Sequence, residues 1–413
     1  MNILFLGFYA DFASFYTQVG KNLVDKGAYK NFIVASCNLS GFVRSIRYCS
    51  IFLPFSVRFN AGKAISLNET VLSVSEAQYI GEYASFSAWY SRKLVHLYFN
   101  YFIWLIREKK ISTVVVGGDT RLQSRALLLA AKKLDVRYFC FEQGPFSTTT
   151  FDKNGANCNL SFVSEFPAEH HERSNIFDKR AKRKLSFLRY FDYLCSPLFS
   201  WLIPELSEEK GILAVLKRSI VKRLRSLKEK WTFDYKKSDF LECEVLVLGQ
   251  VPQDANTLLF SNYGDSLGVL KAVLALANTN SVVFREHPLY IGAYGKEFYK
   301  YCTDKRVVLS KKMTLEEDID RAKFIVTINS QAGLEAILRK KRKVFLAGRA
   351  SYSNINGAVE LQNLDLNSDC RSISDIEHKQ NVIWFSKNFI EGHFRDVDRV
   401  VLINSITGRL NEA

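Results

Sequence analysis

Two stretches hold most of the chemistry this chain offers: Phe284-Arg285-Glu286-His287-Pro288 and, some forty positions on, Thr327-Ile328-Asn329-Ser330-Gln331-Ala332-Gly333-Leu334-Glu335. Each starts as an apolar run and breaks into small polar residues. The second continues with helical spacing through Leu334, Ala336, Ile337 and Leu338, then enters another strand-like run, Lys343 to Gly348. A helix opening with Asn, Ser, Gln and Gly presents backbone N–H groups and the positive end of its dipole, which suits a phosphate. A His-Pro closing a neighbouring strand brings an imidazole to the same place, with the turn fixed by proline. Ligands of an open α/β sheet lie beyond the carboxyl ends of its strands. The expected ligand is a nucleotide mono- or diphosphate sugar.

The elements that must position these residues repeat along the chain. The first half reads as strand 2–7, a helix through Phe15, Val19, Leu23 and Val24, and strand 31–35. Helical spacing over 82–109 follows, then strand 111–116 ending in Gly117-Gly118-Asp119, helix 121–133 and strand 137–141. That last strand runs into Glu142-Gln143-Gly144-Pro145. A second run begins at 244–248, passes the polar turn Gly249 to Asp254, and continues through helix 265–277 and strand 281–285 to the stretches above. Repeated strand-turn-helix units predict parallel sheets. The expected fold class is α/β: two Rossmann-like domains facing across a cleft, with a basic helical linker and a C-terminal helix. The expected boundaries are 1–175 for an N-terminal acceptor domain, 176–240 for the linker or insert, 241–380 for a nucleotide-sugar domain, and 381–413 for a helical segment crossing back.

Composition narrows the class. With 413 residues, 47% apolar and 24% charged, the chain is globular rather than disordered or fibrous. Eight scattered cysteines without a C-x-x-C pair exclude zinc ribbons, redox motifs and a disulfide scaffold, and read as buried thiols in a reducing compartment. Residues 1–7 lack a basic lead and read as a strand, not a signal peptide. The apolar-aromatic stretch 187–206 is broken by Arg189, Asp192, Pro197 and Pro204, so it is no membrane span. The expected location is the cytoplasm, including the inner face of its membrane. Residues 172–237 hold 17 Lys/Arg against 8 Asp/Glu, a net +9 out of +15 for the chain. Within them, 211–230 reads as an amphipathic basic helix that either lies on an anionic membrane or packs as a connector with a solvated face. No P-loop and no G-x-G-x-x-G after a strand are present, which disfavours ATP hydrolysis and nicotinamide chemistry. The six histidines lack metal spacing, and Asp318-Ile319-Asp320 and Asp396-Val397-Asp398 read as helix-surface charges, so no metal is expected.

Four stretches together resemble the bacterial capsule polysaccharide biosynthesis proteins. They are Glu142-Gln143-Gly144-Pro145 with Thr150-Phe151-Asp152-Lys153-Asn154-Gly155-Ala156-Asn157; Gln250-Val251-Pro252-Gln253-Asp254; His287-Pro288; and Asn329-Ser330-Gln331-Ala332-Gly333-Leu334-Glu335-Ala336. The resemblance implies a retaining β-Kdo transferase of the two-Rossmann-domain glycosyltransferase type (GT-B), with CMP-β-Kdo as donor, no metal and no other cofactor. A glycan or glycolipid of O-antigen or capsule would be the acceptor. Retention needs two displacements, hence a nucleophile and a separate acid/base. Asp254 matches the family's Asp and is the expected nucleophile; its other reading is a helix N-cap. Glu142 is the expected general base, its pKa raised by burial, or else a structural ion-pair member. Gln143, Gly144, Asp152 and Asn157 would line the acceptor side, although Asp152 to Gly155 equally reads as a turn.

On the donor side, Gln250, His287, Pro288, Asn329, Ser330 and Gln331 would hold the nucleotide and its phosphate. Glu335 would bind the ribose hydroxyls, or pair with Arg339 at i+4. Arg285 would offset the Kdo carboxylate, or simply end its strand. The first 130 residues carry no matching motif, so the resemblance names no acceptor. Two other readings stay open. One is an inverting CMP-sugar transferase of sialyl type on the same fold. The other is a non-enzymatic basic protein binding an anionic membrane or nucleic acid through 172–237, with salt-sensitive affinity. Nucleic acid is not the expected partner, because no binding module is recognisable.

Overall fold

The computed structural model describes residues 1–60, 88–163, 237–238, 242–252, 254–277, 279, 281–310, 314–367 and 371–412. They fall into two compact units, the first within 1–156 and 389–412, the second within 157–163 and 237–388. Among the described residues the chain changes unit at 156/157 and 388/389, where the expected boundaries were 175 and 380. Packing explains both shifts. The turn at Asn157–Asn159 packs on the helix that follows Asp254, and Phe162 meets Trp384 edge-on at 5.6 Å. Beyond 388, Ile390, Phe394, Leu402, Ile406 and Leu410 enter the core that surrounds Ile3 and Phe5. The expected basic linker, apart from Lys237-Ser238, and its 211–230 helix lie outside the described residues.

Elements are numbered along the chain. The first unit's sheet contains β1 (Asn2–Gly7), β2 (Asn31–Ser36), β3 (Ser50–Phe52), β4 (Ile111–Gly117), β5 (Arg137–Gln143), β6 (Thr148–Asp152) and β14 (Ile390–Glu391). Their order is β14-β6-β5-β4-β1-β2-β3; β3 through β5 run parallel, while β6 and β14 are antiparallel. The parallel part, 3-2-1-4-5, is the arrangement of a nucleotide-binding half, reversing between β1 and β4. Ile3, Leu4, Phe5 and Leu6 are fully buried, as a strand covered on both faces requires. Parallel neighbours need crossovers, supplied here by α1 (Ala10–Asp25), α2 (Leu39–Ser45), α3 (Leu53–Asn60), α4 (Ala88–Glu108) and α5 (Leu122–Lys133). The helix α12 (Val400–Glu412) packs against α1.

The second unit's sheet is parallel throughout: β7 (Lys237–Ser238), β8 (Cys243–Leu248), β9 (Val282–Arg285), β10 (Val308–Ser310), β11 (Ala322–Thr327), β12 (Val344–Leu346) and β13 (Ala358–Glu360). The order β13-β12-β11-β8-β9-β10-β7, counted from β8, is the doubly wound 3-2-1-4-5-6 with one short strand added at the edge. Its reversal falls between β8 and β11. The helices are α6 (Ala255–Phe260), α7 (Ser266–Ala277), α8 (Lys296–Asp304), α9 (Leu315–Arg321), α10 (Gln331–Lys340) and α11 (Asp375–Asn388). The fold class is therefore α/β with two Rossmann-like sheets, as expected. Among the described residues no helix is long and apolar enough to cross a membrane.

Two expectations about acids are corrected. Asp318 is on a helix, α9, but its side chain is fully buried; it pairs with Arg285 and accepts the Ser310 hydroxyl at 2.7 Å. Asp396 and Asp398 precede a helix rather than sit on one: Asp396 is buried and accepts the His393 N–H at 2.7 Å, and Asp398 accepts the Val400 N–H at 3.1 Å.

Candidate active site

The second sheet places three of the four motif stretches at one edge. Leu248, Arg285 and Thr327 stand level across β9, β8 and β11, so the residues after them leave adjacent strands side by side. Gly249 follows β8, and its N–H bonds the Arg285 carbonyl at 2.8 Å. A side chain there would strike Phe284, the Tyr294 hydroxyl and that same carbonyl, all within 3 Å. Glycine thus lets the His-Pro turn press onto the end of β8.

Gln250 and Asn329 join the two strand ends that flank the reversal. The Gln250 amide donates to Asn329 Oδ1 at 2.8 Å, and Asn329 Nδ2 donates to the carbonyls of Asn256 (2.9 Å) and Arg349 (3.0 Å). Two carbonyls can only face an amide NH2, so the direction of this chain is fixed, and it ends in Gln250 Oε1 as an acceptor. That oxygen is buried with no hydrogen-bond partner among the described residues. Asn329 is only 8% exposed, and its amide is fully engaged. It ties the loops together beside the helix tip where the phosphate is expected, with both N–H groups of its amide already used. Replacing Gln250 with Leu leaves Asn329 Oδ1 unsatisfied. We predict a loss of about 1–3 kcal/mol, read by urea unfolding; an unchanged midpoint would mean the amide bridge contributes nothing.

Asp254 takes the position its simpler reading required. It is the N-cap of α6, accepting the Asn256 N–H at 2.8 Å, and it is half-buried. Because Asn256 also gives its carbonyl to Asn329, the capped turn is tied to the reversal point. Ser330 likewise caps α10, accepting the Ala332 N–H at 3.2 Å, while its carbonyl accepts the Gly333 N–H at 2.9 Å and the Tyr352 hydroxyl. An anion at this helix tip would have to replace or share that cap. Gln331 is exposed and Glu335 half-buried on α10; Arg339 pairs with Glu316 at 3.1 Å.

His287 caps the short 3-10 turn Pro288–Tyr290. Its Nδ1 accepts the Leu289 N–H at 3.2 Å, so the hydrogen of the neutral ring lies on Nε2, the nitrogen suited to donate toward a phosphate. Pro288 is exposed. The turn is held from beneath by two residues the sequence analysis passed over. Buried Glu286 accepts the Gly292 N–H at 2.8 Å and the Tyr299 hydroxyl at 2.7 Å, and the Tyr294 hydroxyl accepts the His287 N–H at 2.9 Å. Burial pushes the Tyr294 phenol well up, so it stays neutral. An acid directly before His-Pro was the available signal. Arg285 has a structural role: through one guanidinium nitrogen it bonds Asp318 and the Thr314 carbonyl.

In the first unit, Glu142 is half-buried near the end of β5, with Oε1 accepting the Gln143 N–H at 3.0 Å. Its other oxygen is 3.2 Å from where a side chain on Gly118 would begin, and Gly118 has φ +74°, so glycine there serves both backbone and carboxylate. Asp152 accepts the N–H groups of Asn154 (2.7 Å) and Gly155 (3.4 Å), the turn reading of that segment. Asp119, overlooked in the sequence, accepts the Ala156 N–H at 2.9 Å and anchors the same loop. Together these carboxylates surround Cys140, whose pKa is raised first by burial and then by Asp119, Asp152 and Glu142. Gly144 answers to packing, since a side chain would strike Thr148 and Phe389. Asn157 has φ +52° and begins the second unit, where Cys158 donates to the Arg349 carbonyl at 2.7 Å.

A family model for "Capsule polysaccharide biosynthesis protein" matches residues 112–394, more than half of the chain. The chain belongs to that family. The capsule-synthesis match starts in β4 and ends just past β14, so it takes in every motif residue described above. A comparison with curated proteins found no match. Among solved structures this family member is similar to Thermosulfurimonas dismutans KpsC, beta Kdo 2,7 transferase. The identity is 15% over 76% of this chain and 88% of that one, with TM-score 0.39. It is also similar to the glycosyltransferase SnogD from Streptomyces nogalater (11% identity, 99% and 100% covered, TM-score 0.31). A glycosyltransferase from Rickettsia africae ESF-5 gives 11% identity, 100% and 98% coverage and TM-score 0.32. These scores add nothing to the family assignment.

Proposed function

We propose that this capsule-synthesis protein is a retaining glycosyltransferase that moves β-Kdo from CMP-β-Kdo to a sugar acceptor of bacterial surface polysaccharide. The observation that supports the reading is that the turns carrying Gln250 and Asp254, His287, and Ser330 leave three adjacent strands of one parallel sheet at the same end, beside its reversal, where nucleotide ligands bind in such folds. Family membership supplies the substrate class, and the motif resemblance supplies the donor.

In the first displacement Asp254 attacks the anomeric carbon, the carbon–oxygen bond to phosphate breaks, and CMP leaves with the electron pair. His287 Nε2–H and the N-terminus of α10 stabilise the charge that grows on the leaving phosphate. In the second, Glu142 takes the proton of the acceptor hydroxyl, whose oxygen displaces Asp254. Gln250, Asn329, Glu286 and Tyr294 position the loops that carry Asp254, His287 and Ser330. No metal takes part in the proposal.

Incubation with CMP-β-Kdo and a panel of synthetic acceptors tests it. Turnover giving a β-linked product, unchanged by EDTA, is the expected result; hydrolysis or transfer from another nucleotide sugar only would refute the donor. The capping bond of Asp254 favours a second reading, a one-step inverting transfer in which Asp254 is structural. An α-linked product would select it.

A further inference from the structure

The edge of the first unit built from α2, β3 and α3 combines cations with large exposed apolar side chains. From Lys26 to Asn60 the sequence has five Lys or Arg and no Asp or Glu. Val43 on α2 and Ile46 just past its end are 46% and 57% exposed, interleaved with exposed Arg44 and Arg47. On α3, Phe59 is 74% exposed. A ladder of rings makes these one surface: Phe42 to Phe52 at 5.6 Å, Phe52 to Phe55 at 5.4 Å, and Phe55 to Phe59 at 6.1 Å. The edge continues toward α12. Arg399, which reaches the Ser14 hydroxyl at 3.5 Å on α1, has its pKa lowered by burial and then by Arg44. Beside it Val400 and Val401 stand 62% and 59% exposed. Asp398, an exposed acid next to them, is held on the Val400 N–H at 3.1 Å.

Exposed apolar groups of this size mark an interaction surface. Their interleaving with arginines selects the partner. A nucleic-acid backbone rewards the cations but leaves Phe59, Ile46 and Val43 without a role, whereas a bilayer interface uses both. We propose that this edge docks on an anionic phospholipid surface, with Phe59, Ile46 and Val43 entering the headgroup boundary and Arg44 and Arg47 facing lipid phosphates. The inference goes beyond the transferase reading, does not depend on it, and concerns a different surface from the basic stretch 172–237.

Flotation of the full chain with phosphatidylglycerol–phosphatidylethanolamine vesicles, against pure phosphatidylcholine vesicles, tests it without any donor or acceptor. Binding to the anionic vesicles only is expected. Arg44→Gln with Arg47→Gln should weaken that partition about thirtyfold. Phe59→Ser should weaken it about tenfold. Both changes are at exposed positions, so melting temperature and turnover of a water-soluble acceptor should stay unchanged. Equal binding to neutral vesicles would overturn the proposal. So would anionic-vesicle binding that survives both variants but is lost when the arginines and lysines of 217–228 are neutralised, or binding to DNA with none to vesicles.

Discussion

Replacing Asp254 with Asn is expected to abolish any covalent sugar adduct and to lower kcat by about a thousandfold or more, while leaving the melting temperature in place. The substitution separates the two roles this side chain can play. Its Oδ1 caps α6 through the Asn256 N–H, and Asn caps as well as Asp, so α6 and its link to Asn329 persist. An amide is not a nucleophile at an anomeric carbon. Ala removes both functions, with a cap loss of about 1 kcal/mol, so its lost activity would be ambiguous. Intact-protein mass spectrometry of the wild type after donor incubation should show one added Kdo mass, absent in Asp254→Asn. If Asp254→Asn turns over near the wild-type rate, Asp254 is a cap alone and transfer proceeds in one step.

The second large effect is on stability. Replacing Arg285 with Leu is expected to cost about 3–5 kcal/mol, because it strands a carboxylate in the core. The Asp318 side chain is fully buried, one oxygen shared by Arg285 and the Ser310 hydroxyl, the other without a hydrogen-bond partner among the described residues. The double replacement Arg285→Leu with Asp318→Leu should recover most of the loss, since two apolar side chains leave no unpaired charge. Urea unfolding of the two variants measures both numbers. A double variant that regains stability yet shows a raised KM for the donor would make Arg285 a substrate contact as well, one of its two expected readings; an unchanged KM leaves it structural alone.

Which parts of the molecule the sequence disclosed follows from how local the information was. Strands β8 and β11 and helix α10 were legible because their apolar runs end in polar turn residues, and those turns proved to carry Gln250, Asn329 and Ser330. The pair β5–β6 was not seen as a hairpin. Its turn places Phe146 and Ser147 at φ +53° and +57°, a left-handed pair usually marked by Asn-Gly. Thr148-Thr149-Thr150, β-branched throughout, was the signal available for β6. Asp318 was misplaced because the helical segment around it, Leu315 to Arg321, is mostly charged, and only the tertiary approach of Arg285 and Ser310 turns that one acid inward. The tie made by Asn329 was not legible, because its position at a helix start is local information, whereas the two carbonyls that engage it belong to residues 256 and 349.

The return of the chain to the first unit has a consequence for synthesis. On the ribosome, β14 and α12 emerge only after every strand of the second sheet. Until then Phe141 and Phe151 lack the Ile390 and Phe394 neighbours that complete their core. The half made first must therefore wait, unfinished, for the half made second, and a nascent chain halted near residue 388 is the stage at which chaperones would have most to hold.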